Sequence, residues 1–239
     1  LTIEHLFAYG PGMPTITAPL QPSLLDAGVA ARFDRDFAAC HRHDLGQDAW
    51  VDVVPGWLAG SDALFQTVLD HGDWGQSTMT MYDEIVVQPR LSTSWTLGEL
   101  PADLRILRAI GATLSDRYRV ALTRISANLY RDGRDSVAWH GDRVARDLPT
   151  ATIAVLSLGH RRAFRMRPRG GGASLAFELG RGDLAVMGGS CQRTWQHSVP
   201  KVRQAGPRIC VMFREAYTQD DLDRAAAARR ARRDDLRTA

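Results

Sequence analysis

Between residues 122 and 217 the chain breaks into short runs, ISANLY, ATIAVLSL, AFRMR, SLAFEL, DLAVM, TWQHSV and RICVMFR, split by turn-forming residues. Each run is alternating or rich in β-branched residues, so the segment reads as the strands of an all-β sandwich or barrel. The Gly170-Gly171-Gly172 run lies between two of them and predicts a hairpin loop, since it lacks both the strand-to-helix context and the lysine of a phosphate loop. Upstream, the period changes. Residues 61–71 open with Ser61-Asp62 as a cap, and in 101–116 the residues Leu104, Leu107, Ile110 and Leu114 recur at three- and four-residue steps, so two helices are expected outside the main sheet.

The expected class is therefore mainly β with flanking helices (α+β). A chain of 239 residues suffices for one large domain. Residues 1–22, rich in Pro and Gly, predict an extended arm; residues 23–217 form the single domain, with 23–121 as an N-terminal extension and 122–217 as the β core. Residues 218–239, rich in Ala, Arg and Asp with few apolar anchors, predict a solvated helix or tail that frays.

No 18-residue apolar span or signal-peptide core is present, so a soluble, cytoplasmic protein without membrane contact is expected. Cys40, Cys191 and Cys210 are an odd number at spacings that suit neither a disulfide framework nor a cysteine zinc site. Formal charge is only +3, yet the segment HRRAFRMRPR at 160–169 carries five arginines while 44–84 is net acidic. Such clustering fits a polyanionic partner, or else a solvated strand face.

Trp139-His140-Gly141-Asp142 follows the strand ISANLY after an Asp132-Gly133 turn signal. On an extended chain, His140 and Asp142 project to one side, because side chains alternate with period two. His197, in TWQHSV, supplies a third candidate. Two histidines and one carboxylate on one face of a metal leave the opposite positions open, as non-haem iron(II) oxygenases require. A His-X-Asp pair alone also reads as a surface polar pair.

Arg208 and Arg214 end the apolar run RICVMFR and share one strand face. Six residues at roughly 3.3 Å each separate their Cα atoms by about 20 Å, a span that two inward-reaching guanidinium groups narrow to the length of a short dicarboxylate. The alternative is that each bonds a structural carboxylate or faces solvent. Asn128 and Tyr130, two apart on the strand before the His-Gly-Asp turn, could hold one of the carboxylates, although both are also common on strand faces.

With these residues assembled, residues 78–217 resemble the AlkB family of 2-oxoglutarate- and iron(II)-dependent dioxygenases. Asn128-Leu129-Tyr130, Asp132-Gly133 and Trp139-His140-Gly141-Asp142 are similar to its entry strand and metal turn; Ser157-Leu158-Gly159 with Phe164 to its next strand pair; Gly182 through Gly189 to the turn before the distal histidine. Trp195 through Pro200 resembles the third-ligand segment and Arg208 through Arg214 the Arg-x5-Arg motif. The resemblance implies a double-stranded β-helix (jelly-roll) core, iron(II) on His140, Asp142 and His197, and 2-oxoglutarate and O2 as cosubstrates. It implies Arg208, Tyr130 and Asn128 at the distal carboxylate of 2-oxoglutarate and Arg214 near its metal-chelating end.

The implied activity is oxidative demethylation of alkylated DNA bases of the 1-methyladenine and 3-methylcytosine type by a monomeric enzyme, releasing formaldehyde, succinate and CO2. The same chemistry on RNA, protein or a small molecule is the alternative, and a nucleic-acid-binding module without catalysis is a third reading, against which the intact triad argues. Residues 79–83 and Pro89-Arg90-Leu91 resemble the region that covers the substrate base. A flipped base needs a flat apolar surface and a few polar contacts, which makes Met81, Tyr82, Trp74 and Arg90 candidates; Trp74 and Met81 also read as ordinary packing residues. Arg143 stands where several members carry an acidic residue, and Asp147 comes only later. Arg161, Arg162, Arg165, Arg167 and Arg169 suit phosphate contacts instead.

Overall fold

The computed structural model describes residues 18–21, 26, 28–81, 84–142 and 144–238, without the side chains of 79–81, 84–86 and 232–238. Most of the arm expected at 1–22 lies outside them. Seven antiparallel strands form the larger sheet in the order 41–46, 49–54, 183–189, 153–159, 208–214, 124–130, 91–96. Four more, in the order 175–179, 162–168, 195–199, 137–140, form the smaller sheet. All seven runs read as strands from the sequence are strands here.

The central strands of the larger sheet bury both faces, which is why they read as continuous apolar runs rather than alternating ones. Ile209, Val211 and Phe213 turn one way, into a cluster with Leu156, Leu184, Leu64, Phe65, Leu107 and Ile110. These last four belong to two helices, α1 (Ser61–His71) and α2 (Arg105–Tyr118), which cover the outer face as expected. Cys210 and Met212 turn the other way and pack with Val155, Met187, Phe164, Met166 and Val199 between the two sheets. The result is the jelly-roll core. Arg208 and Arg214 share the parity of Cys210 and Met212, so both point into the space between the sheets, where apolar packing stops.

α1 does not use Ser61-Asp62 as its cap. Gly60 is the N-cap, in the left-handed conformation, and the capping groups come from Asp26: its Oδ1 accepts from the Gly60 amide at 2.7 Å and its Oδ2 from the Ser61 hydroxyl and the Asp62 amide at 2.8 and 3.0 Å. The three glycines at 170–172 do form the hairpin loop between the strands 162–168 and 175–179. Three strands, at 41–46, 49–54 and 91–96, extend the large sheet upstream of the region read as β.

Two further helices matter for the site. α3 (Cys191–Thr194) leads into the strand bearing His197, and α4 (Gln219–Thr238) is the C-terminal helix. α4 is anchored rather than merely solvated: Ala225 is buried, and Arg229 donates from Nε and Nη2 to Asp147 Oδ2 at 3.1 and 2.9 Å. Among the described residues, no helix is long and apolar enough to cross a membrane.

Candidate metal centre

Antiparallel pairing of the strands 137–140 and 195–199 sets His140 directly opposite His197, with ring centroids 4.2 Å apart. Asp142 follows two residues after His140. Its Oδ1 lies 3.7 Å from Nε2 of each histidine, and one donor atom from each of the three residues lies within 4.8 Å of the others. At 3.7 Å these are not hydrogen bonds. Three donors that converge without bonding one another are what a shared cation requires.

The tautomer of His140 is set from behind. Its Nδ1 lies 2.8 Å from the Ala138 carbonyl, which can only accept, so the proton sits on Nδ1 and Nε2 offers its lone pair inward. Burial, followed by the neighbouring His140, pushes the His197 imidazole down to about 3, and burial lowers His140 against the opposing pull of Asp142. Burial alone would raise the Asp142 carboxyl, but Arg214 and the two imidazoles together hold it below the usual carboxylate range. At neutral pH the three groups are therefore neutral, anionic and neutral, the protonation state that metal binding needs.

The turn itself is locked. A Cβ on Gly141 would run into the Gln192 carbonyl oxygen, so glycine is required by close approach. The Asp142 amide donates to Gln192 Oε1 at 3.0 Å, and Gln192 is buried on α3. Arg214 donates from Nε to Asp142 Oδ2 at 2.7 Å and from Nη1 to Ser126 Oγ at 2.7 Å. Arg214 thus bonds the Asp142 carboxylate directly, at the opposite end of the strand 208–214 from Arg208.

Arg208 is in a different condition. It is fully buried; Nη2 donates to Ser157 Oγ at 2.9 Å, while Nε and Nη1 have no hydrogen-bond partner among the described residues. A buried guanidinium without an anion is costly, and carboxylate is the group whose geometry matches its free edge. Tyr130, its register partner, lies with its ring 5.5 Å from the guanidinium carbon. Burial raises the Tyr130 phenol to about 12, so the hydroxyl remains a donor. Asn128 accepts from Ser92 Oγ at 2.8 Å and turns its amide nitrogen to Met212 Sδ.

On the substrate side the residues separate. Trp74 is a packing anchor: it is buried in the helix-side core, with its indole N–H donating to the Leu69 carbonyl at 2.9 Å. Arg162 is likewise no phosphate contact, because it is buried and donates to the carbonyls of Asp132, Asp135 and Pro200. Arg165 is exposed, and Arg161 is largely so, 3.8 Å from Asp183. Arg167 stacks over Trp139 with its guanidinium carbon 4.3 Å from the ring, and Arg169 bonds the carbonyls of Arg193 and Gln192. Arg90 follows Pro89, whose carbonyl accepts from the Ser136 amide; its Nε is buried without a partner among the described residues, and its charge acts on His140, His197 and Tyr130. Met81 ends a strand, 78–81, paired with 84–87, and Tyr82 lies outside the described residues. Gln192 and Ser126 carry no sequence signal of their own, since each matters through a contact 50 or more residues away.

A jelly roll with two histidines and a carboxylate at its mouth defines a class, and comparison agrees: the family model of the 2OG-Fe(II) oxygenase superfamily matches residues 105–230, so the chain belongs to that superfamily. Within it the chain is similar to AlkB proteins. It is 32% identical to the bovine alpha-ketoglutarate-dependent dioxygenase alkB homolog 3 over 191 residues, covering 70% of this chain and 66% of the relative. The human alkB homolog 3 is 31% identical over the same shares of the two chains, and the Arabidopsis thaliana DNA oxidative demethylase ALKBH2 is 28% identical over 216 residues, or 72% and 68%. The chain thus spans 66% of the length of the alkB homolog 3 proteins, just under two thirds. Its residues fit the two groups that name the superfamily: the convergent triad suits iron(II), and the unpartnered edge of Arg208 suits a carboxylate of 2-oxoglutarate.

Proposed function

We propose that this chain is an iron(II)- and 2-oxoglutarate-dependent dioxygenase that demethylates N-alkylated bases in nucleic acid, with DNA carrying 1-methyladenine or 3-methylcytosine as its substrate. The observation that carries the reading is a three-donor metal turn on the smaller sheet together with a buried, anion-seeking arginine on a strand of the larger sheet. With iron and cosubstrate bound, the chemistry supplied is four-electron reduction of O2: 2-oxoglutarate becomes succinate and CO2, and one oxygen atom enters a methyl C–H bond to give an N-hydroxymethyl group that leaves as formaldehyde.

The chain's own residues hold and orient. His140, Asp142 and His197 are the proposed iron ligands. Arg208 would receive the distal carboxylate on its free edge, and the Tyr130 hydroxyl would add a donor there, with Asn128 beside it. Arg214 keeps the Asp142 carboxylate ionised and aimed. Between the two, the apolar inner face of the sheets excludes water from the reacting centre.

For the substrate, Arg90 is the proposed polar contact near the metal, Met81 and Tyr82 the proposed cover of the base, and Arg161 and Arg165 the proposed phosphate contacts. The name of the Arabidopsis relative, a DNA oxidative demethylase, supports the DNA reading. The test is incubation with iron(II), 2-oxoglutarate and ascorbate on single- and double-stranded DNA and on RNA carrying 1-methyladenine or 3-methylcytosine. Formaldehyde release with base conversion on DNA supports the proposal. Turnover only on RNA moves the substrate, and none on any nucleic acid overturns the reading.

A further inference from the structure

The metal turn leads straight into a turn of helix at Ala145–Asp147. The Arg146 amide donates to the Asp142 carbonyl at 2.8 Å, and the Asp147 amide donates to the Val144 carbonyl at 2.9 Å. Asp142 is therefore held at both backbone groups: its amide by Gln192 of α3, its carbonyl by the start of the 145–147 turn. The far end of that turn is pinned by its side chain. Asp147 has a fully buried carboxylate, and Oδ2 takes two donors from Arg229, a half-exposed residue on α4 that lies 82 positions later in the chain.

We propose that α4 is a working part of the metal centre, with Arg229 a positioning residue that fixes Asp142 through Asp147 and the 145–147 turn. The physical reason is the cost of the arrangement without it. A buried carboxylate that loses two charge-assisted donors is less well compensated, since Arg146 Nε stands off at 3.8 Å, and a shift of Asp147 moves the turn whose first hydrogen bond ends on the Asp142 carbonyl. Small displacements at such outer contacts weaken metal sites, typically by 10–100-fold in affinity. Iron positioning thereby depends on a helix that reaches the ligands through Asp147.

This inference rests on the reading of His140, Asp142 and His197 as a metal site, and the experiment separates the two. Cobalt(II) is titrated into the apoprotein and binding is followed by its visible absorption, for wild type, His140→Ala, Arg229→Ala, Arg229→Lys and Arg224→Ala, with a melting curve for each apoprotein. Arg229→Ala is expected to weaken cobalt binding about tenfold, Arg229→Lys to recover most of it, and Arg224→Ala, an exposed residue paired with Asp221 on the same helix, to leave it unchanged. Wild-type affinity in a folded Arg229→Ala protein overturns the proposal, as does equal weakening in all three helix variants. Should Arg229→Ala fail to fold, Arg229→Gln takes its place under the same two criteria. If His140→Ala binds cobalt as well as wild type, the metal reading itself fails, whatever α4 does.

Discussion

Arg214 donates to Asp142 Oδ2 at 2.7 Å, leaving Oδ1 of the same carboxylate facing both histidines. One oxygen is thus spoken for by a fixed cation and the other is presented to the metal position. The arginine that ends the Arg208–Arg214 strand is an organiser of the ligand set.

Replacing Arg214 should therefore be felt at the metal. Arg214→Ala is expected to lower affinity for cobalt(II) or iron(II) by 10–100-fold, the range for such outer contacts. Arg214→Lys should restore little, because an ammonium cannot bond Asp142 and Ser126 from one planar fork. Calorimetric metal titration checks both.

Arg208 predicts two opposite effects of one substitution. Arg208→Met removes a buried charge with two nitrogens that lack a partner among the described residues, so the apoprotein should gain stability, within the ~1–4 kcal/mol seen when hydrophobic residues replace buried ions. The same change should abolish saturation by 2-oxoglutarate in the accessible concentration range. Melting curves with and without cosubstrate test the pair: added 2-oxoglutarate should raise the melting temperature of wild type and leave that of the variant unmoved.

Arg162 and Arg165, three residues apart on one strand, should behave oppositely. Arg165 is exposed, and Arg165→Ala is expected to leave the melting temperature alone while reducing the slope of log affinity for DNA against log salt by about one. Arg162→Ala strips donors from three backbone carbonyls and should lower stability by about 1–3 kcal/mol for each buried acceptor left unsatisfied. DNA binding at several salt concentrations, paired with chemical denaturation, distinguishes them.

Asp26 should contribute a pH-dependent share of stability. Burial would raise its carboxyl, but the donors from Asp62, Ser61 and Gly60 outweigh it and lower the carboxyl below its ordinary 3.8. A depressed folded value means that the stabilisation is complete above the unfolded value and is lost as pH falls through the folded one. Asp26→Ala is expected to cost about 1 kcal/mol at pH 7, the scale of a helix cap, and the difference from wild type should shrink below about pH 4. Urea denaturation at pH 7 and pH 3 measures it.

What the sequence reveals of this site is what lies within one strand or one turn. His140 with Asp142, and Arg208 with Arg214, are legible because a period of two converts spacing into direction. Parity also held an answer that charge clustering obscured: Arg162 has the parity of Phe164 and Met166, both buried, whereas Arg165 has the opposite one. Trp74 offered no such companion, and its place in the core comes from helix α1 folding back on it. Gln192, Ser157, Asp26 and Arg229 act across the chain, through contacts that only the assembled sheets and helices create. The strands at 41–46 and 49–54 went unread because the first is mostly exposed and polar at the sheet edge and the second nearly all buried, so neither alternates clearly.

The one-to-one pairing of His140 with His197 is followed by an irregularity, where Val199 faces Val137 and one strand carries an extra residue. Such a bulge fixes how two strands align, and alignment here decides chemistry. A slip by one position would present Gln196 or Ser198 opposite His140 and turn the imidazole to the other face of the sheet. Since the two histidines come from segments 57 residues apart, the cation can be captured only by a chain that has already paired these strands correctly. Metal binding at this site is thus coupled to the correct alignment of the strands 137–140 and 195–199.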